Sequence, residues 1–188
     1  MKISRARLPR KVPVFLGCEG ESEAAYGQFL ARLLAEAKLV IHLEVVPLNP
    51  GAGDPLAMIK RIIKELPRRE ARRTRFARKI VLMDMDRVQN DANRKRETEQ
   101  LAQGCDIHIL WQKPCHEALL LRHFEGHQNQ QPADCRSVTA LLQKVWPGYK
   151  KPMSTTDLAK QIDREALFRA ASIELGLRDF LVLIGLTA

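Results

Sequence analysis

Four short apolar runs, each followed by a polar turn and then by residues at helical spacing, constrain this chain more than any other feature. The runs are Val12 to Cys18, Ile41 to Leu48, Ile80 to Met83 and Asp106 to Trp111. Short, β-branched, near-continuous apolar runs read as strands buried on both faces. The segments between them are amphipathic. Tyr26, Phe29, Leu30, Leu33 and Leu34 fall on one side of a helix over 21–37, and Leu56, Ile59, Ile62, Ile63 and Leu66 make a second stripe. Asp54-Pro55 supplies an N-cap and a proline at the first helical position, and Pro67 is expected to end or kink that helix. Strand-helix alternation predicts an α/β fold, a mostly parallel sheet of about four strands with helices on both faces.

The pattern changes beyond residue 130. A helix capped by Asp134 is expected to run to near Pro147, then a loop with Lys150 and Lys151, then one long helix over 154–176 and a short apolar tail. Three segments follow: a basic arm at 1–11, an α/β domain at 12–130, and a helical C-terminal third at 131–188 packed on that domain. A chain of 188 residues suits one such domain. The four cysteines form no CxxC pair, which argues against a zinc ribbon, and Cys18 and Cys105 read as small apolar residues in strands. No signal peptide and no membrane-spanning run is evident, so a reducing cytoplasm is the expected compartment.

In open parallel sheets, ligands bind beyond the carboxyl ends of the strands. Glu19 directly follows the first run, Asp84 and Asp86 close the third, and Lys113 and Glu117 follow the fourth. Residues distant in sequence are thereby expected at one sheet edge. Asp84 and Asp86 are two apart and share a face while the strand lasts, and Glu19 and Glu23 are four apart across a strand-to-helix turn. Carboxylates so close raise one another's pKa unless a positive charge lies between them, and a hard cation, Mg²⁺ or Mn²⁺, resolves the repulsion. Glu23 also suits the dipole at a helix start, and Asp86 suits a turn. Asp84 follows four apolar residues, so its carboxylate needs a partner.

The formal charge is +9, from 31 Lys and Arg against 22 Asp and Glu, which favours an anionic partner such as nucleic acid. Arg68, Arg69, Arg72, Arg73, Arg75 and Arg78 form a dense cationic segment suited to sequence-blind contact with a phosphate backbone, or to a solvated helix face. Lys113 is placed to neutralise charge developing on a phosphate.

Phe15-Leu16-Gly17-Cys18-Glu19-Gly20-Glu21-Ser22-Glu23-Ala24-Ala25-Tyr26 resembles the opening of RloB-like proteins, a strand followed by Glu-Gly, a Ser or Thr, Glu and an aromatic. Val81 to Asp86 resembles their Asp-x-Asp strand. Lys113 to Phe124 resembles their Asn-Pro-Cys-Phe-Glu segment, with Lys113 in place of the Asn and His116 in place of the Phe. The three motifs occur in order across roughly residues 12–126. The resemblance implies a TOPRIM-type fold related to the OLD-family nucleases, metal-dependent phosphodiester chemistry, a role in phage defence and partnership with an ABC-type ATPase. It implies Glu19, Glu23, Asp84 and Asp86 as ligands to one or two metal ions, and Glu117 as a further acid at the rim. Glu19, Asp84, Lys113 and Glu117 are the expected catalytic set. The alternative is a non-catalytic, TOPRIM-like adaptor of the ATPase that docks through its C-terminal third. Topoisomerase chemistry is disfavoured, since only Tyr26 and Tyr149 are present and Tyr26 has a core spacing. Haloacid-dehalogenase-like phosphatases place an Asp-x-Asp on their first strand, whereas two strands precede it here. His116-Glu117 is not HExxH, because position 120 is Leu, and His123 reads as a packed residue.

Overall fold

Local sequence sets each element before packing joins them. A computed structural model describes residues 10–48, 53–72 and 74–187. Residues 1–9 of the basic arm, positions 49–52 of the expected loop, and Arg73 lie outside the described residues. The strands are β1 (Val12–Cys18), β2 (Ile41–Pro47), β3 (Arg78–Asp84) and β4 (His108–Gln112). They form one all-parallel sheet in the order β2-β1-β3-β4. The helices between them are α1 (Glu21–Glu36), α2 (Pro55–Glu70) and α3 (Ala92–Gly104). The architecture is α/β, as the alternation of runs predicts.

Side-chain caps start several helices. The Asp54 carboxylate accepts from the Ala57 amide at 3.2 Å, Asp91 caps α3 through the Arg94 amide, and Asp134 caps α5 (Cys135–Val145) through the Ser137 amide. Helices cover both faces. Phe15, Val81 and Met83 pack with Ile59, Ile62 and Leu66 of α2 on one face. Leu16, Ile80 and Leu82 pack with α1 and the C-terminal helices on the other. The C-terminal third therefore shares a continuous core with the sheet.

Of the two outcomes expected at Pro67, an end or a kink, the end does not occur: α2 continues to Glu70, where the Ala71 amide reaches the Pro67 carbonyl at 2.9 Å. Two further expectations need correction. The single helix expected over 154–176, with its apolar tail, is three helices: α6 (Thr155–Gln161), α7 (Arg164–Ile173) and α8 (Leu175–Leu183). Ile162 is extended and Asp163 caps α7, its carboxylate accepting from the Ala166 amide at 2.8 Å, so the chain turns although its apolar spacing continues. Cys105 is not in a strand; it follows α3 as its C-cap, and β4 begins at His108. The remaining helix, α4 (His116–Leu121), is buried along its whole length.

Candidate functional site

The carboxyl edge of the sheet collects the acids. Glu19 leaves β1, Gly20 is the N-cap of α1, and the Glu23 carboxylate turns back to accept from the Gly20 amide at 3.0 Å. The Glu19 carboxylate accepts from the Asp84 amide at 3.0 Å, which joins the ends of β1 and β3. The loop after β3 is tied to the loop after β4, since the Met85 and Asp86 amides both reach the Pro114 carbonyl at 3.1 Å. Glu19, Glu23 and Asp84 line one cleft of about 400 Å³ together with Lys151 and Pro152. Asp86 lies on the neighbouring side, exposed, and accepts from the Cys135 thiol at 3.7 Å.

Electrostatics bind these acids into one system. Burial pushes the Asp84 carboxyl up to about 8, with Glu23, Glu19 and Asp86 adding to the rise and Lys151 opposing it. Burial likewise raises Glu19; the Asp84 amide and Arg87 oppose that rise, while Glu23 and Asp86 add to it. One buried oxygen of Asp84, Oδ1, has no hydrogen-bond partner. Among the described residues, no three His, Cys, Asp or Glu side chains already stand together as a coordination shell. The donor set nonetheless fits a hard divalent cation: every donor is a carboxylate oxygen, one is buried and orphaned, and the charges repel one another without a cation between them.

Glu117 is fully buried at the start of α4. The Tyr149 hydroxyl donates to its Oε1 at 2.6 Å and the Lys151 ammonium pairs with the same oxygen, while Oε2 is unpartnered. Below it, Gln112 Nε2 meets His116 Nδ1 at 2.7 Å. His123 Nδ1 contacts the Leu119 carbonyl at 2.8 Å and must donate there, so its Nε2 accepts from the Tyr26 hydroxyl at 3.0 Å. Burial drives His123 down to about 4, so the ring is neutral. His123 and Tyr26 are thus packed core residues.

The structure separates other sequence candidates from this cleft. Lys113 is exposed and lines a different cleft with Gln89 and Arg122. Arg68, Arg69, Arg72, Arg75 and Arg78 sit where α2 ends and β3 begins, at the amino edge of the sheet. Six strand steps from Arg78 to Asp84 place that edge about 20 Å from the acids. Arg69 is held by Glu44 at 3.0 Å and Glu65 at 3.3 Å. In return the fold brings in three residues outside the sequence motifs: Lys151, Tyr149 and Arg87. The local signal for Tyr149 and Lys151 is Pro147-Gly148-Tyr149-Lys150-Lys151-Pro152, an aromatic and two cations confined between prolines, whereas Arg87 directly follows Asp86.

Comparison with family models matches residues 14–175, most of the chain, to the model described as RloB-like protein. Searches of curated proteins and of solved structures found no match.

Proposed function

The chain belongs to the RloB-like family, and from that premise we propose that it is a metal-dependent hydrolase of nucleic-acid phosphodiester bonds, built on a TOPRIM-type sheet. The observation that carries the proposal is the cleft that Glu19, Glu23 and the half-buried Asp84, with its orphaned Oδ1, line together with one lysine, Lys151. Glu19, Glu23, Asp84 and Asp86 would hold Mg²⁺ or Mn²⁺, which supplies Lewis-acid polarisation of the phosphoryl group. The chain's own residues do the positioning. Glu19 fixes the end of β3 through the Asp84 amide. Glu117 and Tyr149 hold the loop that carries Lys151 against the cleft. Lys151 is the cation that meets a non-bridging phosphate oxygen as negative charge grows, the role that sequence position suggests for Lys113.

The biological setting we propose is an effector in defence against phage, in the cytoplasm, acting with an ABC-type ATPase. Among the described residues, no helix is long and apolar enough to cross a membrane. A second reading, a non-catalytic adaptor of that ATPase, draws on the exposed apolar side chains of Ile173, Leu175, Val182 and Leu183 around α8.

A labelled panel of single-stranded DNA, duplex DNA and structured RNA, incubated with Mn²⁺ or Mg²⁺, separates the readings. Cleavage is expected to fall by at least about 100-fold in Asp84→Asn and about 100-fold in Lys151→Met. Cutting that survives Asp84→Asn unchanged would remove the acids from the chemistry. No cutting of any substrate, together with tight binding to the ATPase, would select the adaptor.

A further inference from the structure

The outward face of α2 carries Lys60, Lys64 and Arg68 at successive i, i+4 positions, all exposed, and Arg72 continues the row just past the helix end. At 100° per residue the three helical members fall within an arc of about 80°. The opposite side of α2 is committed to the core through Leu56, Ile59, Ile62 and Leu66. None of these four cations makes an ion pair with a described residue. Arg61 flanks the row and pairs with Glu65 at 3.1 Å.

Topology gives the row a direction. α2 leaves the carboxyl edge of the sheet after β2 and returns to the amino edge before β3. Its first turn is fastened to the carboxyl edge, because Asp54 accepts from Arg94 Nε of α3 at 3.0 Å. Arg87 bridges from there to the acids: its guanidinium lies against Gly53, just before α2, and its charge is felt by Glu19. The helix rise places Arg72 about 18 Å from Lys60. The cations therefore form a line from the acid cleft towards the amino-edge arginines, about 20 Å away.

We infer that the Lys60-Lys64-Arg68-Arg72 row is a track for the phosphate backbone of a nucleic-acid duplex that extends from the acid cleft across the α2 face. Regularly spaced, unpaired cations along a rigid helix suit a polyanion of regular spacing. At 3.4 Å of rise per base pair, a 20 Å track engages about six base pairs to one side of the cleft. This deepens the nuclease reading and rests on it for where the scissile bond lies, but duplex binding is measured without cleavage.

The test is fluorescence anisotropy with labelled 24-base-pair DNA and RNA duplexes in EDTA, across a salt series. The protein is expected to bind at least one duplex. The quadruple variant Lys60→Gln, Lys64→Gln, Arg68→Gln, Arg72→Gln should bind at least tenfold more weakly in low salt. Its log K against log salt slope for DNA should be shallower by about 3 to 4, four contacts at about 0.9 each. A charge-matched control, Lys38→Gln, Lys144→Gln, Lys160→Gln, Arg164→Gln, removes exposed cations from elements on the other face and should stay within about twofold of the parent. Binding is read in EDTA, where no cleavage occurs, which keeps failure of the nuclease reading distinct from failure of the track. Equal losses in the control and track variants, an unchanged slope in the track variant, or no duplex binding by the parent would each overturn the inference. A matching thermal unfolding curve checks that the glutamine variants are folded.

Discussion

Asp84 shows how a single side chain couples fold to chemistry in this protein. Its carboxyl titrates near 8 in the folded chain against an ordinary value of 3.8, because burial and Glu23, Glu19 and Asp86 all disfavour its charge. Between those values the folded state binds more protons than the unfolded state. This contribution to stability is thus complete below pH 3.8 and is lost as pH rises through about 8. Asp84→Asn removes that loss. In EDTA its melting temperature should exceed the parent's by a margin that widens from pH 5 to pH 8, and Mn²⁺ should reverse the order by stabilising only the parent. Parallel melting curves for the two proteins across that range would contradict the account. A second residue test concerns the buried pair beneath the site. Tyr26→Phe leaves His123 Nε2 without a donor at a position 1 % exposed. The expected cost is about 1–3 kcal/mol in denaturant unfolding.

Elements position these residues through close contacts that composition alone does not reveal. Gly27 on α1 faces β1 and β2 so closely that a Cβ there would lie 2.9 Å from both Leu16 Cδ2 and Val45 Cγ1. Alanine raises helix propensity at this position but forces α1 off the sheet. Gly27→Ala should therefore destabilise by about 1–3 kcal/mol, the reverse of an exposed Gly→Ala exchange, as read from the chemical midpoint. The same closeness matters for the site, because α1 starts at the Gly20 turn that presents Glu19 and Glu23. At the far end of the fold, Ile162 and Asp163 divide what reads as one amphipathic helix. The apolar positions Leu158, Ile162 and Leu167 all remain buried, so the core is preserved while the chain direction changes. Periodicity reports which face is buried and is blind to such a turn; the Asp163 cap is the one local mark of it.

At the scale of the whole molecule, the C-terminal third belongs to the sheet's own core. Leu177, Phe180, Leu181, Ile184 and Leu186 are buried with Leu110 and Leu120. Burial of five such side chains at about 2 kcal/mol each gives on the order of 10 kcal/mol, comparable to the net stability of a domain. A chain truncated after Ile173 should therefore lack a cooperative unfolding transition and bind a hydrophobic dye, as measured by calorimetry and fluorescence. The sequence by itself determined the parallel α/β plan, the carboxyl ends of the strands to within one residue and the acidic residues near them, but not where β3 and β4 begin. Those features are local: a strand is marked by its apolar run, and Asp84 stands out because such a run ends on a charge. Tertiary structure alone decided which cations accompany the acids. Lys151 and Tyr149 reach Glu117 across more than thirty residues because α4 and α5 pack together, whereas the arginine segment, beside Asp84 in sequence, lies about 20 Å away because β3 is extended. Sequence separation along a strand is physical distance, and contact between distant segments exists only once the core has closed.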